Sequence, residues 1–179
     1  TLMELLIEKI THGKHNICGD TETPPDISAW VRRLNWGTLL ENGDVVQIVL
    51  HGARVKGSIQ LEWLPPTVRL CSFSSNVLLG KVNLIELPDS LLVLLLKRNR
   101  FEGTVCLTNL PTAMWKLDLG KNSFSGNVDL TKLPLAMEKL ILQYNLFEGV
   151  TDFSQLPEAL TELDVAHTEL EGEVIRTQG

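Results

Sequence analysis

The chain has 179 residues, 44% of them hydrophobic, and a net charge of −6, so it carries enough apolar material for a core and lacks the basic excess of a nucleic-acid-binding surface. Its longest apolar run, Leu91–Leu96, is broken at Lys97, well short of a membrane span. Three scattered cysteines, Cys18, Cys71 and Cys106, and no Asn-x-Ser/Thr sequon point to reduced thiols in a cytoplasmic or other intracellular setting, whereas a signal peptide removed ahead of Thr1 would place the chain outside the cell or on its surface.

Residues 1–10 place Leu2, Leu5 and Leu6, with Met3 and Ile10 alongside, at helical spacing. The polar stretch from His12, with Gly13, ends that helix. Pro24-Pro25-Asp26 reads as the entry to a second one, capped by Asp26 or Ser28, with Ile27, Trp30, Val31 and Leu34 on one face. Neither segment recurs later, so 1–40 is expected to form a helical N-terminal cap over the first coil of a repeat array. Trp30, Trp36 and Trp63 fall in or beside it and are expected to seal the open end of the core.

Leu-Pro pairs begin at 64, 87, 110, 133 and 156, always 23 residues apart. A constant period of this size marks a solenoid. Shifting back once more reaches Glu41, where Val45, Ile48, Leu50, Val55 and Gly57 still match Val68, Cys71, Phe73, Leu78 and Gly80. Six repeats are therefore expected over 41–179, with polar Arg176, Thr177 and Gln178 making the last a C-terminal cap.

Within a unit, Leu117-Asp118-Leu119 alternates as a short strand with one buried face. Asn76, Asn99, Asn122 and Asn145 follow, able to satisfy turn amides and carbonyls of their own and adjacent coils; Ala53 and Thr168 take that place in the terminal units. The x-Phe/Leu-x-Gly phrase, as in Phe124-Ser125-Gly126, is read as a turn, and Val128-Asp129-Leu130 as the back wall. Leu-Pro closes the circuit, because Pro removes an amide donor where no strand continues.

The frame from Met114 to Asn122, L-x-x-L-x-L-x-x-N in type, resembles the leucine-rich repeat family. Its N-x-F-x-G-x-V phrase is similar to the plant-type subclass, and the V-x-L-x-x-L-P ending looks most like repeats of kinetoplastid protists. The resemblance implies an α/β solenoid: a right-handed horseshoe with a concave parallel sheet that binds other proteins.

Strand residues alternating with the core leucines would face that concave side. Leu70, Val93 and Leu95 are expected to form an apolar patch extended by Val49 and Ile141, with Lys97, Arg98, Lys116, Lys121 and Lys139 as a positive rim, Asp118, Glu162 and Asp164 as negative charge toward the C-terminal end, and Tyr144 in the same column as Arg98 and Lys121. An apolar centre with charged surroundings suits a protein partner.

Chemistry finds little support. His12, His15, Cys18 and Asp20 have zinc-ligand types without a second cysteine or paired spacing, so no metal is expected and the segment reads as a solvated connector. His51 and His167 stand five strands apart, about 24 Å. His167 with Asp164 reads as a local surface pair, and Cys71 occupies a core leucine position. The expectation is a monomeric protein-interaction module, not an enzyme, without cofactor, nucleic acid or membrane span; a structural or assembly scaffold is the alternative, and a receptor ectodomain a further one.

Overall fold

The computed structural model describes residues 1–18 and 37–172, and its organising feature is a stack of coils with a sheet on each of two walls. The first wall holds β2 (Gly37–Glu41), β3 (Asp44–Val49), β5 (Leu70–Ser72), β7 (Val93–Leu95), β9 (Lys116–Asp118), β11 (Lys139–Ile141) and β13 (Glu162–Asp164). The second holds β1 (Ile10–His12), β4 (Lys56–Gly57), β6 (Val77–Gly80), β8 (Arg100–Gly103), β10 (Ser123–Gly126), β12 (Leu146–Val150) and β14 (Glu169–Glu171). From β3 to β13 the first wall is parallel, and each residue pairs with its equivalent one period on, as in Leu70 with Val93, Val93 with Lys116 and Lys116 with Lys139. Coils of equal length stack only in this register, since a shift by one residue would turn every buried leucine outward.

The core lies between the walls. Cys71, Leu94, Leu117 and Leu140 fill it from the first sheet, and Leu78, Phe101, Phe124 and Phe147 from the second. The phenyl rings stack at 6.1 Å between centroids, Phe101 on Phe124 and Phe124 on Phe147. Each Leu-Pro pair makes a tight turn in which the Pro carbonyl accepts an amide three residues on: Val68 from Pro65, Leu91 from Pro88, Met114 from Pro111, Met137 from Pro134 and Leu160 from Pro157.

The asparagine column ties neighbouring coils together. The Asn145 side-chain NH2 donates to Leu142 O (2.9 Å) in its own coil and Leu119 O (3.0 Å) in the one before, and its Oδ1 accepts from Phe124 N–H (3.0 Å). Asn76, Asn99 and Asn122 repeat this pattern. At the ends the device changes. Thr168 donates only within its coil, to Val165 O (2.7 Å), and the carbonyl of Ala53 accepts instead from Asn16 of the cap (3.0 Å).

Among the described residues the N-terminal cap is helical only in part. Its helix α1 (Leu2–Leu6) is one turn and a half, closed at the front by a capping box between Thr1 and Glu4. It buries Met3 and Leu6, with Ile7 and Ile10 following, while Leu2 and Leu5 stay exposed. Ile10 belongs to β1, which pairs antiparallel with β4, and α2 (His15–Cys18) follows in the stretch read as a connector. Residue 57 must be glycine for β1 to approach: a Cβ there would stand 2.2 Å from Lys9 O, at φ +112°. The proposed second helix with Ile27, Trp30, Val31 and Leu34, together with Trp36 and Arg176, lies outside the described residues. Trp63, in a short 3-10 turn (Leu61–Trp63), is 37% exposed and does not seal the core.

Two further assignments change. Glu41 opens no coil but ends β2, which turns through Asn42-Gly43 into β3 as an antiparallel hairpin; both residues have positive φ (53° and 90°), as a type I′ turn requires. The second wall is built by Ser123–Gly126 and its equivalents, the segment read as a turn, and Val128–Leu130 contributes buried Val128 and Leu130 without strand pairing. Phe124 alternates inward between Ser123 and Ser125, so that short phrase is itself a strand with one apolar face.

Candidate functional site

Two columns of side chains stand on the outer face of the first sheet. One runs through Gln47, Leu70, Val93, Lys116, Lys139 and Glu162, the next through Val49, Ser72, Leu95, Asp118, Ile141 and Asp164, each in strict strand register. Lys97 and Gln143 prolong the alternation beyond the strands. Lys116 and Lys139 apart, these positions vary from coil to coil, whereas Leu94, Leu117 and Leu140 repeat beneath them.

The apolar part of this face is recessed. Val93 and Ile141 are each only 5% exposed, and Val49, Leu70 and Leu95 are half-buried. Leu70 and Val93 are direct neighbours, while Leu95 lies between Ser72 and Asp118. The patch is thus a shallow floor rather than a raised apolar surface. Among the described residues the most exposed large aliphatic side chains lie elsewhere: Leu135 and Ile85 in the connecting segments, and Leu79, Leu146 and Val150 on strands of the second sheet. Periodicity marks Leu79 and Leu146 as non-core positions but says nothing of how open they are.

Asp118 is buried on this floor, and one carboxylate oxygen accepts the Gly120 N–H at 3.0 Å. Burial pushes its carboxyl above the usual carboxylate range, against the opposing pull of that hydrogen bond and of the Lys97 and Lys116 charges. The folded state therefore holds this proton to higher pH than the unfolded chain does, so Asp118 contributes most to stability below the ordinary carboxylate range and that contribution is lost as pH rises through its folded value. Asp118→Asn is expected to raise the urea midpoint near neutral pH and to leave it unchanged at about pH 3, where both side chains are neutral. An equal shift at both values would mean that packing, not charge burial, sets the effect.

The rim is uneven. Lys139 pairs with Glu162 at 2.9 Å, which holds the Glu162 carboxyl below its usual range. Lys97, Arg98, Lys116 and Lys121 take part in none of the ion pairs among the described residues. Arg98, Lys121, Tyr144 and His167 occupy one corner of successive coils with φ between 55° and 57°. There the Tyr144 and His167 rings stack at 4.1 Å, with Lys121 Nζ 4.9 Å from the Tyr144 centroid. His167 thus partners Tyr144, and Asp164 caps the Ala166 N–H (3.1 Å), in place of the expected His–Asp pair.

Elsewhere the chemistry is quiet. Burial pushes the Cys71 thiol far up, so it stays protonated and unreactive. His12 contacts Thr11 Oγ1 at 3.2 Å, and among the described residues no group of three His, Cys, Asp or Glu side chains could hold a metal ion. Asp20 lies outside the described residues. No described helix is long and apolar enough to cross a membrane.

No protein-family model matches the sequence. No curated protein matches it either. Solved structures do. The chain is similar to the LRR ectodomain of the receptor kinase SOBIR1 from Arabidopsis thaliana, at 23% identity and TM-score 0.68 over 96% of this chain and 93% of that one. It is similar to Pollen Receptor Kinase 3 at 24% identity and TM-score 0.64, over 85% of this chain and 79% of that one. A chain of the BIR3–SERK2 complex from Arabidopsis thaliana matches at 20% identity and TM-score 0.69, over 96% and 94% respectively. With the stacked coils, these likenesses establish a leucine-rich-repeat solenoid fold.

Proposed function

We propose that the chain binds a protein partner on the outer face of the first sheet, the side that the family resemblance makes concave, and performs no chemistry of its own. One observation carries this reading. A rigid, in-register sheet displays side chains that change along the stack, from Leu70 and Val93 through Lys116 and Lys139 to Glu162, while the core and the asparagine column beneath repeat. A varied face held on a constant frame is what a recognition surface needs. In support, one of the similar structures is itself a complex of two proteins.

Leu95 is the half-buried centre of that face. Leu95→Asp is expected to lower partner recovery in a pulldown from the source cell about tenfold or more, the loss of roughly 1.4 kcal/mol of binding. Leu95→Arg controls for repulsion from Asp118. Retention of every partner by both variants, with the fold intact by circular dichroism, would place the binding surface elsewhere.

A structural or assembly scaffold is the second reading, favoured by exposed Leu79, Leu146 and Val150 on the second sheet. The last described strands of the two sheets, Glu162-Leu163-Asp164 and Glu169-Leu170-Glu171, oppose edge-to-edge stacking by their charge. Light scattering across a concentration series separates the readings, since the binding module stays monomeric. An intracellular setting, read from the scattered cysteines, belongs to the proposal; the receptor-ectodomain alternative is favoured by the similar structures, and surface labelling of intact source cells decides between them.

A further inference from the structure

Four cations stand on two adjacent coils of the first sheet: Lys97, Arg98 and Lys121 line the border beyond the ends of β7 and β9, and Lys116 begins β9 on the other side of Asp118. Lys97 follows Val93 and Leu95 on the outer face, and Lys116 is the register partner of Val93 on the next strand. Arg98 and Lys121 take the corner position of the same two coils, whose backbones are joined by Arg98 N–H to Gly120 O (2.9 Å) and Asn99 N–H to Lys121 O (3.2 Å). Neighbouring coils in such a sheet stand about 4.8 Å apart, so Lys97, Arg98 and Lys121 are close neighbours, with Lys116 roughly 13–16 Å along the strand direction from them. None of them enters an ion pair among the described residues. Asp118, the acid between them, is buried with a carboxylate oxygen on the Gly120 amide. One coil further on, Tyr144 is 44% exposed under the Lys121 ammonium and against His167.

We infer that this border receives a short acidic peptide segment of the protein partner, its carboxylates meeting Arg98, Lys121, Lys97 and Lys116 and an apolar side chain resting on Tyr144. This rests on the sheet-face reading above. Charge complementarity selects the occupant: cations at least partly open to solvent and in no ion pair among the described residues gain most from carboxylates arriving with a partner. The length is limited as well. The next coils present Lys139 already paired to Glu162, then Asp164, so the cationic run ends after two coils. With a net charge of −6 over the whole chain, a long polyanion such as a nucleic acid would meet repulsion beyond this border.

The probe is a fluorescein-labelled octapeptide of alternating Glu and Tyr, titrated with the full chain by fluorescence anisotropy beside a Lys-Tyr counterpart. The acidic peptide is expected to bind about tenfold or more tighter than the basic one, and to weaken steeply between about 50 and 200 mM salt. Lys97→Glu with Lys121→Glu should weaken it about tenfold or more, and Lys97→Gln with Lys121→Gln by less, while Lys56→Glu with Lys81→Glu on the second-sheet side leaves it unchanged. Equal affinity for the two peptides overturns the inference, as does indifference to the Lys97 and Lys121 changes. Tighter binding of an oligothymidylate or of phosphatidylserine vesicles overturns it too. A random peptide library displayed on phage and selected on the immobilised chain separates this inference from the reading it rests on. Enrichment of acidic sequences supports both. Enrichment of non-acidic sequences that Leu95→Asp loses overturns the acidic partner alone, and no enrichment counts against both.

Discussion

Phe124→Ala will destabilise the solenoid by about 3–5 kcal/mol, the usual cost of emptying a fully enclosed phenylalanine site. Phe124 is fully buried and is the middle ring of the Phe101, Phe124 and Phe147 stack, with interplanar angles of 14° and 9°. The substitution therefore weakens two coil interfaces at once, and in a quasi-one-dimensional array those interfaces carry the coupling between units. Urea unfolding followed by circular dichroism should show a lowered midpoint and a broadened or divided transition. Hydrogen exchange should place the earlier phase in the coils of β11 and β13. Phe124→Leu copies Leu78, which holds the same place beside β5, and should cost less than about 1.5 kcal/mol. Equal losses for Ala and Leu would show that ring stacking, not filled volume, supports the column.

Asn76→Leu will cost on the order of 4 kcal/mol, because it strips partners from buried backbone groups that water cannot reach. Asn76 Oδ1 accepts from Val55 N–H (3.2 Å) and its NH2 donates to Leu50 O (2.7 Å) and Phe73 O (2.9 Å). Phe73 O keeps a second donor in Asn99 (2.9 Å), so the loss falls on Val55 and Leu50, both buried. Both belong to the coil of β3, and the change should loosen that coil and the cap strand β1 from the rest. Faster amide exchange at Val55, with protection kept around Leu117, is the expected signature. Asn76→Thr imitates Thr168, which bonds only within its own coil, and should recover part of the stability. Uniform exchange along the chain would show that the bonds act globally instead of between two coils.

Much of this framework is readable in the sequence, and particular residues show why. Leu94, Leu117 and Leu140 recur at one spacing and all lie in the core, since a coil of constant length brings equivalent residues into register whatever their neighbours. The Asn-Gly pair at 42–43 also carries a hairpin signal, but the repeat register claims Glu41 as the start of a coil and hides it. The Phe124 phrase is too short to reveal its strand alone. It pairs only because Glu102–Gly103 and Leu146–Phe147 lie alongside.

The period by itself determined the solenoid, the order of its coils and the columns that stand on the sheet, because stacking of equal units needs no information beyond the repeat. Only the tertiary structure decided how those columns meet solvent and one another. Val93 and Ile141 sink while Tyr144 stays open, Lys139 finds Glu162 while Lys97, Arg98, Lys116 and Lys121 enter no ion pair among the described residues, and His167 turns to a ring instead of to Asp164. Exposure and ion pairing depend on side chains a full period or more away and on their rotamers, which the spacing of leucines along the chain does not encode.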